Sequence, residues 1–137
     1  MNVFYTSNVL LLFLGLQASL AFSQEILSFN VEPGKIVQGT EAVFRVNFAK
    51  SATNTILWCG LRIDFGNGES KHIRVGENGE KDLNLAYTYT YPNVGAYNAS
   101  VVGVDMHRGL KTALSCPGNK QIYKVIVESK YPAIVPI

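Results

Sequence analysis

The residues able to do chemistry are few and scattered. The chain holds two histidines, His72 and His107, two cysteines, Cys59 and Cys116, and one turn rich in side-chain oxygens, with Asp64, Asn67 and Glu69 in six residues. A general base must sit within hydrogen-bond reach of its proton, and a nucleophile needs an adjacent base held by a third group. His72 lies in a polar stretch with Lys71 and Arg74, which reads as an exposed edge position. His107 stands beside Arg108 in a long connection. No His-Glu-x-x-His, Gly-x-Ser-x-Gly or phosphate-cradling Gly-rich loop is present, so the chain is expected not to be an enzyme. Neither cysteine has a second Cys or a His at zinc-ligand spacing. Asp64, Asn67 and Glu69 offer three oxygens where calcium takes 6–8, and Gly66 and Gly68 beside them fit a tight turn, so no metal or cofactor is expected.

The N-terminus explains the cysteines better than catalysis does. Residues 1–23 carry no charged side chain, and residues 9–16 are an unbroken apolar run followed by small residues, with Ala21-Phe22-Ser23 fitting the small-x-small rule of signal peptidase. The n-region lacks Lys and Arg, a departure from the usual pattern. The expectation is a cleaved signal peptide over residues 1–23; the competing reading, an uncleaved anchor, has only eight strongly apolar residues against the roughly 20 of a span. Export delivers the chain to an oxidising compartment (secreted, periplasmic or cell surface), where Cys59 and Cys116 have one possible pairing. Closing a loop of about 60 residues stabilises a fold by about 4 kcal/mol in the chain-entropy model.

Composition narrows the class further. Over 137 residues, 11% aromatic content is too high for a disordered chain, and a net charge of +2 is far from a nucleic-acid-binding footprint. The cations Lys50, Arg62, Lys71, Arg74 and Lys81 form no run and read as a solvated surface.

The elements that must position these residues are strands. Period-2 alternation predicts strands over residues 26–31, 42–48, 55–65, 70–75, 85–91, 96–105 and 122–128. In the third of these Leu57, Cys59, Leu61, Ile63 and Phe65 share the inward parity. Trp58 takes the opposite one, either as an outward contact residue beside the cysteines or as a face covered by the long connection. Tyr87, Tyr89 and Tyr91 alternate as core residues with hydroxyls at the rim. Residues 106–121 form a sixteen-residue connection with at most one helical turn near residues 109–114, and connections of that length are often functional. Residues 129–137 read as an extended or disordered apolar tail. The fold class is all-β, a single antiparallel sandwich of about seven strands spanning residues 24–128. Asn98-Ala99-Ser100 is a glycosylation sequon on an outward parity, relevant only in a eukaryote.

Two segments together resemble a known family. Ile63-Asp64-Phe65-Gly66-Asn67-Gly68 is similar to the aromatic-Asp-Phe-Gly-Asp-Gly turn of polycystic-kidney-disease (PKD) domains. Tyr89-Thr90-Tyr91-Pro92-Asn93-Val94-Gly95-Ala96-Tyr97 resembles their Tyr-x-Tyr-Pro-x-x-Gly-x-Tyr corner, in the same order and separation. Ile63 replaces the usual Trp and Asn67 the usual Asp, and the following hairpin carries extra residues. Tyr97 follows a Pro/Gly corner, where its hydroxyl can bond back to the backbone, and Asp64 can accept backbone N–H groups in its turn. Ala99 stands two residues after the corner tyrosine, so Cys59 and Cys116 are not the cross-sheet pair of an antibody domain; their bond is expected to staple the long connection to the third strand.

The resemblance implies an immunoglobulin-like module used outside the cell as a spacer or for binding proteins or carbohydrates. The expected function is therefore an exported, non-catalytic binding or adhesion module for an extracellular or envelope protein or polysaccharide. Trp58, His107 and Arg108 are the contact candidates, together with the Gly66–Gly68 turn. The alternative is a structural subunit or inhibitor that docks by a sheet edge or the tail.

Overall fold

The computed structural model describes residues 25–49, 58–76 and 84–131. The expected signal segment, the expected strand start at residues 55–57, Lys50, Lys81 and the tail from residue 132 lie outside the described residues. Among the described residues ten strands follow in chain order: β1 (Ile26–Glu32), β2 (Lys35–Val37), β3 (Glu41–Phe48), β4 (Cys59–Asp64), β5 (Ser70–Val75), β6 (Asn84–Thr90), β7 (Gly95–Gly103), β8 (Met106–Arg108), β9 (Lys111–Ala113) and β10 (Gln121–Glu128). No helix occurs among the described residues.

The strands form a three-stranded sheet β1-β3-β6, a five-stranded sheet β2-β10-β7-β4-β5 and a two-stranded ribbon β8-β9. Their inward faces share one core, in which Phe44 of β3 lies 5.1 Å from the Phe65 ring at the end of β4. The alternation that marks each strand sets its buried side. Phe44, Val46 and Phe48 are buried on β3, Cys59, Leu61 and Ile63 on β4, and Val125 and Val127 on β10. In β1 the alternation breaks between Ile26 and Ser28, where a bulge lets Ile26 and Phe29 both turn inward.

Three strands exceed the expected seven, each for a local reason. β2 has three residues, too few to show a period, and it exists because it pairs with β10. That pairing is parallel, so the sheet is mixed rather than wholly antiparallel. β8 and β9 divide the connection expected to lack strands. Arg108 opposes Lys111 across the two-residue loop Gly109-Leu110, with Gly109 at φ +61°, so a hairpin occupies the segment expected to hold at most one helical turn.

Candidate functional site

The register places the sequence-derived candidates at two opposite ends of β4. One end holds the Gly66–Gly68 turn. Asp64 Oδ1 accepts the Gly66 N–H at 2.9 Å, and Asn67 Oδ1 accepts the Glu69 N–H at 3.1 Å. Asn67 Nδ2 donates to the Tyr89 hydroxyl, which in turn donates to the Glu69 carboxylate. Burial, then the hydrogen bond to Glu69, raises the Tyr89 phenol above its ordinary pKa. These oxygens are occupied in holding the turn. Among the described residues no group of three or more His, Cys, Asp or Glu is placed to hold a metal ion.

The tyrosine corner completes this end. The Tyr97 hydroxyl donates to the Asn93 carbonyl at 2.8 Å, and the ring stacks on Tyr91 at 4.7 Å. Tyr91 is fully buried and donates to the Phe65 carbonyl at 2.8 Å, tying the corner to the turn. Gly66, at φ +82°, lies against the Asn98 backbone, where a Cβ would approach within 2.6 Å of the carbonyl oxygen. Asn98 is exposed on β7, while Ser100 of the same sequon is buried.

At the other end, the disulfide Cys59–Cys116 fastens the long connection to the start of β4, across 57 residues of sequence. Both half-cystines are buried. Gly60 is the seat of this junction: its N–H donates to the Leu114 carbonyl, and its carbonyl accepts from Val104 and Cys116. A Cβ at Gly60 would meet the Val104 oxygen at 2.3 Å, and one at Gly103 the Cys116 oxygen at 2.0 Å, so only glycine permits the crossing.

A carboxylate latch sits above the junction. Asp105 Oδ1 accepts from both Ser115 N–H and Ser115 Oγ, at 2.9 and 2.8 Å, and these bonds hold its carboxyl below the usual aspartate range. Asp105 lies two residues before His107, yet its carboxylate serves Ser115. The His107 imidazole instead meets the Thr112 hydroxyl of the facing strand at 3.0 Å. Thus fixed, the ribbon projects Leu110 wholly into solvent at its tip, with Leu114 70% exposed at its base. Arg108 and Lys111 flank the tip and are exposed.

Trp58 is half-buried at this same end, one residue before the disulfide, so Trp58, His107 and Arg108 share one end of the molecule. The Gly66–Gly68 turn does not belong with them. β4 has six residues, so about 20 Å of strand separates the two groups, and the expected joint contact surface is split.

A further feature escaped the sequence. β5 and β6 are the outer strands of the two sheets on the same side, and an open cleft of about 500 Å³ lies between them. Its lining includes Lys71, His72, Ile73 and Arg74 of β5, Leu85 and Tyr87 of β6, and Met106 at the base of the ribbon. Arg62, Lys71 and Arg74, spaced apart in sequence, stand on the adjacent strands β4 and β5. The Nε atoms of Arg62 and Arg74 are shielded from solvent without a hydrogen-bond partner, so these cations are not simply a solvated surface. The polar stretch around His72 marks β5 as an exposed edge, but no local pattern shows that β6 lies across from it and leaves the opening. Leu110 is missed for a related reason, although Gly109-Leu110 between polar flanks carries the signal of a two-residue hairpin loop.

No family model, no curated protein and no solved structure matches the chain.

Proposed function

We propose that this chain is an exported, non-catalytic binding module with a PKD-like, immunoglobulin-type sandwich, and that it contacts its partner through the tip of the β8–β9 ribbon. The observation that carries this reading is Leu110, fully exposed on a ribbon that a buried disulfide, the Asp105–Ser115 latch and the Gly60 backbone bonds all restrain. An apolar side chain held rigidly in water loses little conformational entropy on docking, which is the property of an anchor residue. Trp58 at the same end extends the contact surface. The disulfide supports an oxidising, extracellular setting, because such bonds persist there. The partner is an extracellular or envelope protein or polysaccharide.

The test is retention of the exported chain on insoluble polysaccharides and on envelope fractions, with and without EDTA. Retention that falls about tenfold in Leu110→Asp, the effect of losing one anchor, supports the reading. Retention unchanged in both Leu110→Asp and Trp58→Ala sinks it, and EDTA sensitivity would reopen a role for calcium.

A second reading has its own support. An outer strand with open backbone groups favours docking by a sheet edge, as a structural subunit or inhibitor would use, and among the described residues β5 is such a strand.

A further inference from the structure

The β5 edge carries a recognition pattern of its own, away from the ribbon tip. Phe65 N–H donates to the Glu69 carbonyl just before β5 begins. In an antiparallel ladder, hydrogen-bonded and non-hydrogen-bonded pairs alternate. The pairs Ile63–Lys71 and Leu61–Ile73 are therefore bonded to each other, and Ser70, His72 and Arg74 turn their N–H and C=O groups away from β4. No strand among the described residues pairs with that side of β5. Successive side chains divide between two surfaces. Lys71 and Ile73 share the inward parity of Val75 and border the cleft with Leu85 and Tyr87. His72 and Arg74 share the outer parity of Arg62, which pairs directly with His72.

Charge decides what can lie there. Among the described residues that border the cleft, Lys71 and Arg74 are cationic and none is acidic. The two ion pairs among the described residues, Lys35–Glu128 and Arg45–Glu32, involve neither Lys71 nor Arg74, and the Arg74 guanidinium donates only to the His107 carbonyl, at 3.4 Å. Among the described residues, the carboxylates nearest in sequence, Asp64 and Glu69, are bonded to Gly66 and Tyr89. A second copy pairing edge to edge would set Lys71, His72 and Arg74 against their own kind, so the edge repels itself. An incoming acidic strand meets the opposite situation.

We infer that β5 accepts an extended acidic segment of a partner protein as an added strand, with acidic residues opposite His72 and Arg74 and an apolar residue between them seated in the cleft over Ile73 and Tyr87. The open main-chain groups select a peptide over a polyanionic glycan, because a glycan cannot continue the ladder. The alternation of the partner follows from that of β5, since directly opposed residues point to the same face.

The probe is a synthetic acetylated and amidated peptide, Val-Glu-Val-Glu-Val-Glu-Val, titrated against the disulfide-bonded exported chain at low salt. Its comparisons are the Lys-for-Glu version, a peptide of the same composition with the glutamates in one block, a backbone N-methylated version, and oligogalacturonate. The alternating acidic peptide is expected to bind at least about tenfold tighter than each comparison. The double substitution His72→Glu with Arg74→Glu is expected to weaken it by about tenfold or more, as the attraction at Arg74 becomes a repulsion and a second repulsion is added at position 72. Leu110→Asp, which alters the ribbon tip, is expected to leave this binding unchanged, so failure here and failure of the hairpin reading are separately visible. Absence of saturable binding overturns the proposal. So does equal binding by the N-methylated or block peptide, and tighter binding by oligogalacturonate would reassign the edge to a polyanion. If the double variant does not fold, the N-methylated comparison on the unaltered protein still decides.

Discussion

Tyr91 shows how one side chain joins two motifs. Its ring is fully buried within 6.2 Å of Phe44, and its hydroxyl satisfies the Phe65 carbonyl across 26 residues of sequence. Tyr91→Phe keeps the shape and removes the donor, which leaves a buried carbonyl unsatisfied, so unfolding by urea is expected to show a loss of about 1–2 kcal/mol at neutral pH. Burial, followed by the neighbouring Tyr89, pushes the Tyr91 phenol above its ordinary value. A raised folded-state pKa means the neutral phenol is favoured in the fold. Its contribution is therefore complete below about pH 10, the unfolded value, and is lost as the pH climbs toward the folded one. Stability of the unaltered protein is expected to fall more steeply above about pH 10 than that of Tyr91→Phe, and a matching slope in the two would refute the assignment.

The element that depends most on a covalent bond is the β8–β9 ribbon. Three-residue strands carry little cohesion of their own, and this ribbon hangs from Gly60, Asp105 and Cys116. Replacing both Cys59 and Cys116 with Ser is expected to cost about 4 kcal/mol, the chain-entropy value for a loop of this length. Amide exchange should show where the cost falls. The ribbon and Ser115 are expected to lose protection first, while β3 keeps its own to the global limit. Uniform loss across all strands would show instead that the staple supports the whole core.

At the scale of the molecule, stability and the proposed contact surface are separated. The core centres on Phe44, which meets the rings of Phe29, Phe65, Tyr89 and Tyr91 at 5.1–6.3 Å, whereas Leu110 touches water alone. Phe44→Ala is expected to cost about 3–5 kcal/mol in urea unfolding. Leu110→Asp is expected to stay within about 0.5 kcal/mol of the unaltered protein. If Leu110→Asp instead destabilised strongly, the tip would be part of the fold and lose its claim to a partner.

The chain's own order of residues determined the strands longer than five residues, their inward faces and the two turn motifs, because alternation and Gly or Pro punctuation are local signals. Residues 42–48 and 70–75 could be read this way since each strand buries one face, and the pairing of Cys59 with Cys116 followed from there being two. Tertiary structure alone decided that β2 exists and runs parallel to β10, and that Gly60 and Gly103 must lack a Cβ. It alone set Arg62 beside His72 of the β5 edge and opened the cleft between β5 and β6. Each of these depends on which distant backbone comes to lie alongside, and that choice is made by packing the whole core at once, not by any window of sequence.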